Sequence, residues 1–161
     1  MIDGIDTEIL NIVQRDARIS NAEIARQVGL AASAVLERVR KLEERGVIRG
    51  YSAEIDPKAL DFGLTAFISV RTTECGDGVG SELAAIPEIQ EVHEVAGEDC
   101  FFIKVRAKDT DHLGRLLREQ IKAIPRVLNT RTTVVLKSFK ETLALPIDIE
   151  AAVAAKRAKV N

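Results

Sequence analysis

Apolar positions recur at helical spacing through the first fifty residues and alternate with polar ones over much of the remaining chain, with the change near Asp56-Pro57. Ile9, Leu10, Ile12 and Val13 form a stripe that predicts a first helix from Thr7 to Arg15, with Asp6 as its N-cap. Ser20-Asn21-Ala22-Glu23 has the form of a capping box, in which Ser20 takes the Glu23 backbone N–H and the Glu23 carboxylate reaches back. The helix that starts there should bury Ile24, Ala25 and Val28 and stop at Gly29, where a left-handed residue is tolerated. A third helix is expected from about Ala32 to Arg45, with Val35, Leu36, Val39 and Leu42 inward and Gly46 at its end. Ala31 is a poor cap for it. Three short helices with a glycine turn between the second and third predict a helix-turn-helix.

Beyond Pro57 the period shortens. LTAFISVRTT (64–73) alternates like a half-buried strand, GDGVGSELAAIPE suggests a short helix, and IQEVHEVAG (89–97) and FFIKVRA (101–107) read as two strands across a GEDC turn. Asp109 caps a further helix with Leu113, Leu116, Leu117, Ile121 and Ile124 inward, and VLNTRTTVVLKSF (127–139) is the last strand. The order βαββαβ is the ferredoxin-like arrangement, one antiparallel sheet with both helices on one face. The expected class is therefore α+β, a three-helix helix-turn-helix domain linked to a ferredoxin-like domain. The expected boundaries are 1–50 for the first domain, 51–62 for a linking strand and hinge, 63–142 for the second domain and 143–161 for a C-terminal extension. The second face of the sheet still carries apolar residues, so a dimer in which two sheets meet is the natural way to cover it. The linking segment Val47–Ile55 alternates, contains no Ser/Gly run, and reads as a strand that pairs with its dimer mate.

Charge changes the picture for one segment. The formal net charge is −2, yet residues 33–50 carry five basic and three acidic side chains. The third helix should present Ser33, Ala34, Glu37, Arg38 and Lys41 outward at spacings of three and four. This third helix, the second of the helix-turn-helix pair, fits a major groove, with Ser33, Ala34, Glu37 and Arg38 in the half that meets base edges and Arg40, Lys41, Arg45 and Arg49 nearer phosphates. Solvated surface charge is the bland alternative. The joint occurrence of cap, small Ala25, Gly29, apolar register and basic helix favours double-stranded DNA as the partner. Two such helices in a dimer would fit half-sites about one turn, ~34 Å, apart.

RISNAEIARQVGLAASAVLERVRKLEERGVIRGYSAEIDP resembles the N-terminal domain of the Lrp/AsnC, or feast/famine, transcriptional regulators, in its LERVRKLE helix, GVI.GY exit and closing Asp-Pro. VAGEDCFFIKVR and NTRTTVVLKSF resemble the C-terminal effector domain of the same family, so the similarity spans about residues 2–142. The resemblance implies a sequence-specific DNA-binding regulator, a homodimer that often assembles into tetramers or octamers, and an amino-acid effector bound between subunits near the loop joining the second and third strands. A Gly-acidic-x-Asp pattern is frequent there. This chain has Gly97, Glu98, Asp99 and Cys100, with Cys100 where the family often has Asp, and hydroxyls from Thr132 or Thr133 could join turn N–H groups in holding a carboxylate. A plain hairpin turn is the bland reading of the same four residues.

Other classes fare worse. Cys75 and Cys100 are too few for a disulfide framework and show no metal spacing with His93 or His112, so two reduced, partly buried thiols are expected, and neither metal nor cofactor. A Cys100–His93 nucleophile would be a lone pair without a motif, and GxSxG, GxxxxGK[ST] and HExxH do not occur, so no enzyme is expected. FFIKVRA lacks the aromatic pattern of an RNA-reading sheet. No run approaches the ~20 apolar residues of a membrane helix, and MIDGIDTEIL lacks signal-peptide order, so the expected location is the cytoplasm. A DNA-architectural protein without an effector, and a small-molecule-binding adaptor for a partner protein, are the alternatives. The Ala-rich tail predicts a helix from Asp148. Chain-end behaviour favours a packed or fraying helix over a basic arm of Lys156, Arg157 and Lys159.

Overall fold

The computed structural model describes residues 2–147, so the helix expected from Asp148 and the three basic side chains of the tail lie outside the described residues. The chain forms two compact units, one made of the chain up to Glu54 together with the segment from Glu141, the other of Ile55–Lys140.

The first unit contains α1 (Gly4–Val13), α2 (Asn21–Val28) and α3 (Ala32–Glu44). Helix α1 starts earlier than its apolar stripe suggests, because Asp3 rather than Asp6 is the cap. The Asp6 N–H donates to Asp3 at 2.9 Å and the Asp3 N–H donates to Asp6 at 3.1 Å, which closes a capping box with carboxylates at both positions. At α2 the Glu23 N–H donates to Ser20 Oγ at 3.2 Å. The return half of that box is absent, since the Glu23 carboxylate accepts instead from Gln27 at 3.0 Å and from Arg26. Those two contacts hold its pKa below the ordinary value.

Gly29 ends α2 with φ 69°, and the Leu30 N–H closes on the Ala25 carbonyl at 3.0 Å. A Cβ there meets the left-handed penalty without a steric clash. Gly29→Ala should therefore lower the unfolding free energy by about 1–2 kcal/mol. Denaturant titration should read this as a lower midpoint at unchanged slope.

Ile9, Val13, Ile24, Ala25, Val35, Val39 and Leu42 form the core of this unit. Ala25 is buried where α2 and α3 meet, as its small side chain suggests. Leu36 differs from expectation: it is 54% exposed. It lies one 100° step beyond Val35, off the 35/39/42 stripe.

The segment from Glu141 has no regular secondary structure and belongs to this unit. The Gln14 amide grips Leu145 from both sides, its Oε1 accepting the Leu145 N–H at 3.0 Å and its Nε2 donating to the Leu145 carbonyl at 2.9 Å. Asn11 Nδ2 donates to the Ile147 carbonyl at 3.3 Å. A side-chain amide here does what a neighbouring strand does elsewhere.

The second unit opens with a 3-10 turn, Pro57–Leu60, whose Lys58 N–H donates to Asp56 at 3.0 Å. Residues 47–55 form no strand within the chain. Then come β1 (Leu64–Thr72), α4 (Asp77–Ala84), β2 (Ile89–Glu94), β3 (Phe101–Ala107), α5 (Thr110–Leu116) and β4 (Val127–Val134). The sheet is antiparallel throughout with strand order β2-β3-β1-β4, the ferredoxin-like topology. Ala66, Ile68 and Val70 of β1 and Phe101, Ile103 and Val105 of β3 alternate toward Val79 and Leu83 of α4 and Leu113 and Leu116 of α5. Helix α5 runs on into a π-helical turn, Leu117–Ile121. The wider turn keeps Leu116 and Ile121 both buried and leaves Leu117 at the margin.

The other sheet face is partly open. Phe67 and Phe102 stack there with centroids 5.5 Å apart and planes 6° from parallel, and Phe102 is 40% exposed. Arg106 donates to Thr65 Oγ1 at 2.6 Å on the same two strands.

Cys75 and Cys100 are joined in a disulfide, with Cα atoms 5.4 Å apart. The expectation of two reduced thiols is thereby corrected. Sequence spacing could not show it, because the pairing of Val70 with Phe101 is what brings the end of β1 beside the start of β3.

Candidate functional site

Helix α3 is positioned by the 35/39/42 stripe, so the faces it leaves exposed follow from its own register. Ser33, Ala34, Glu37, Arg40, Lys41, Arg45 and Arg49 are exposed. Lys41 pairs along the helix with Glu37 at 3.3 Å, and Arg40 with Glu44 at 3.0 Å. Both are one-turn surface pairs of small energy, which a phosphate can displace. Tyr51 donates to Glu43 at 2.8 Å on the flank that carries Leu36 and Arg40. Burial and that carboxylate push the phenol up to about 12, so it remains a donor.

Arg38 is not presented outward. Its guanidinium donates to Asp6 at 2.6 Å and to Asp3 at 2.9 Å. The same capping box that starts α1 thus holds α3, and the side chain expected to read a base edge is spent inside the unit. The Asp6 and Asp3 carboxylates push the Arg38 pKa up. Burial pushes the Asp3 carboxyl up, but the Asp6 N–H and the guanidinium outweigh it and hold Asp3 below its ordinary value. Sequence spacing alone does not disclose the pairing. Its signal is two aspartates three apart at a helix start, opposite an arginine on the partly apolar side of α3.

In the second unit the candidate effector residues are brought together only in part. Gly97 sits at φ 155°, Glu98 is exposed, and Asp99 is half-buried. Cys100 is buried in the disulfide, so it offers no thiol, either to a ligand or as a nucleophile beside His93. The turn is anchored by the Cys100 N–H, which donates to the Val70 carbonyl at 3.1 Å, and by the Val95 N–H, which donates to the Cys100 carbonyl at 2.9 Å. Thr132 pairs with Ile68 and Thr133 with Phe67, so the two hydroxyls face opposite sides of the sheet and cannot serve one pocket of the same chain. Arg131, next to them on the strand, donates to Asp99 at 2.9 Å. Sequence reasoning does not single this residue out. A single cation among the polar residues of NTRTT is its only mark, and the turn it reaches is fixed by strand order alone.

An exposed basic helix held by a helix-turn-helix, followed by a ferredoxin-like domain with an acidic turn at the β2–β3 end, defines a two-domain DNA-binding transcriptional regulator. Comparison with known proteins gives the same class. The family model described as the Lrp/AsnC ligand binding domain matches residues 65–145, and that described as winged helix-turn-helix DNA-binding matches residues 2–49. The HTH-type transcriptional regulator FL11 of Pyrococcus horikoshii is 43% identical over 148 residues, covering 91% of this chain and 97% of that protein. The leucine-responsive regulatory protein of Escherichia coli K12 is 38% identical over 150 residues, 91% of this chain and 92% of that protein. Among solved structures, a feast or famine regulatory protein from M. tuberculosis complexed with L-methionine superposes with TM-score 0.85 at 34% identity, covering 92% of this chain and all (100%) of that one. A transcriptional regulator–L-Met complex from Neisseria meningitidis gives TM-score 0.85 at 26% identity, with 92% and 98% covered. The chain belongs to the Lrp/AsnC family of transcriptional regulators.

Proposed function

We propose that the chain works as a homodimer, or an assembly of dimers, that reads an inverted repeat through α3 and answers a small amino acid bound beside the Gly97–Cys100 turn. The carrying observation is the exposed face of α3. Ser33, Ala34 and Glu37 stand where base edges would be met, and Arg40, Lys41, Arg45 and Arg49 where phosphates would be. Arg38 joins this set as a positioning residue. Work on chromosomal DNA implies the cytoplasm, and no catalytic step is part of the reading.

The open sheet face supports the dimer. Phe67 and Phe102 form an apolar patch that a second copy would cover. Phe102→Glu should then place a charge in the interface and convert the sedimenting species to monomers at micromolar concentration, with Phe102→Leu remaining dimeric. A Phe102→Glu protein that sediments as the parent does would exclude this face.

The ion pair of Asp99 and Arg131 supports an amino acid as effector, since a zwitterion can meet both charges, carboxylate on Arg131 and ammonium on Asp99 or Glu98. The methionine bound to two of the related structures is consistent with that chemistry. Selection of binding sites from random DNA, repeated with and without the twenty amino acids at millimolar concentration, is the decisive test. An enriched palindromic site whose occupancy changes with one amino acid is expected. Site selection without any amino-acid effect would leave an effector-independent architectural protein, and no enrichment at all would overturn the reading of α3.

A further inference from the structure

The disulfide joins two places that no regular hydrogen-bond ladder connects. Cys75 lies in the exposed connection between β1 and α4, one residue before the Gly76 cap of that helix. Cys100 closes the Gly97–Cys100 turn and leads directly into β3. The bond spans 25 residues of sequence and encloses α4 and β2. Its two halves differ in access, Cys75 being exposed and Cys100 only 8% exposed.

We infer that Cys75 and Cys100 form a reversible thiol–disulfide site whose oxidation state sets the order of the Gly97–Cys100 turn and thereby the response to effector. The consequence for effector rests on the function proposed above, and the reversibility rests on its DNA-binding part alone. A protein that works on chromosomal DNA sits among reduced thiols, where a lasting disulfide between two such cysteines is uncommon and a transient one is typically regulatory. The co-reactant is a small-molecule disulfide of the glutathione class. The Cys75 thiolate attacks one sulfur of it, the other sulfur leaves as a thiol, and a mixed disulfide remains on Cys75. The Cys100 thiolate then attacks the Cys75 sulfur and expels the second thiol. Two protein thiols lose two electrons and two protons in all, and the oxidant is reduced to two thiols. Reduction runs the same steps backward from the accessible Cys75 sulfur.

With the bond closed, the turn is held to the segment before α4 as well as to Val70 and Arg131. With it open, the Val70 and Arg131 ties remain but the 73–76 connection is released from it. Asp99 is the residue before Cys100 and keeps its carboxylate on Arg131 in either state, so the bond acts on the proposed ammonium partner through the backbone of the turn.

The full-length protein, equilibrated in glutathione buffers of graded ratio, should be alkylated and weighed intact, followed by hydrogen exchange and amino-acid calorimetry at the two ends of the series. A cystine that forms and opens reversibly within the glutathione range is expected, with amides of 72–76 and 96–101 exchanging at least tenfold faster after reduction. The melting midpoint of the second unit should drop by about 10 °C or more. Affinity for the bound amino acid should fall at least fivefold on reduction. Cys75→Ser should show the reduced values in every buffer, with DNA binding in the absence of effector unchanged. Both thiols alkylating in fully oxidised glutathione, or exchange and melting that do not differ between the two states, would overturn the inference. Absence of any amino-acid binding in both states would overturn the effector reading instead, and the exchange and melting data would still decide the switch.

Discussion

Arg38→Ala should unfold the helix-turn-helix unit more readily, by about 1.5–3 kcal/mol, the range for hydrogen bonds to charged groups. The substitution leaves Asp3 and Asp6 facing each other, with the Asp6 side chain only 11% exposed and no cation between them. DNA affinity should fall with it, evenly across sequences, because α3 loses its anchor on α1 rather than a base contact. Arg38→Lys should restore the charge on a shorter, less rigid side chain, and so recover part of the stability. The pH dependence carries the sign of the Asp3 shift. A carboxyl held below its ordinary pKa of 3.8 stabilises the fold fully above that value, and the contribution is lost as pH falls through the lower folded value. Acid unfolding of the parent should therefore be steeper below about pH 4 than that of Arg38→Ala. Fluorescence-free probes suit the measurement, since the chain has no tryptophan; far-ultraviolet circular dichroism in denaturant at about pH 7 and about pH 3 reads it. Equal stabilities for parent and Arg38→Ala, with altered sequence preference, would restore Arg38 to the base-reading set.

The second large effect belongs to the phosphate-side cations. Replacing Lys41, Arg45 and Arg49 together by alanine should lower the slope of log affinity against log salt by about 5 in a dimer, counting roughly 0.9 per lost contact from each of two copies. Binding at moderate salt should weaken by several orders of magnitude on specific and random DNA alike, because all three side chains are exposed. Glu37→Ala should act in the opposite sense, shifting sequence preference while sparing the salt slope. Electrophoretic or anisotropy titrations over a salt series separate the two. A triple variant with the parental slope would mean that the duplex approaches a different face.

Much of this fold is legible in the sequence because its elements have strong local signatures. The 35/39/42 stripe, Ser20 before α2, Gly29 after it and the alternation of 64–72 each depend on neighbours a few residues away. The features that sequence does not reveal depend on distant neighbours. Arg38 is separated from Asp3 by 35 residues, Asp99 from Arg131 by 32, and Cys75 from Cys100 by 25. Each looks like an ordinary surface or turn residue until the packing of α1 on α3, or the β2-β3-β1-β4 order, puts its partner beside it. Of the differences from expectation, Arg38 shares that cause, whereas Thr132, Thr133 and Leu36 are set by local periodicity. Helical spacing gives Arg38 a direction around an axis but not the acidic pair across it. Thr132 and Thr133 are adjacent in sequence, which on a strand means opposite faces. Hydrophobicity points Leu36 inward, and register sends it out.

The amide of Gln14 meets Leu145 across 131 residues of chain. A ribosome releases the three N-terminal helices first, yet the segment that completes their unit emerges only after the whole of the second unit has been made. Until then Gln14 and Asn11 are solvated, and the late closure must be made over a long loop, whose entropic cost grows only slowly with its length but is still unfavourable. Folding of the intervening unit replaces that flexible loop with a fixed one. The order expected during synthesis is therefore helices, then sheet, then the return of the chain to where it began.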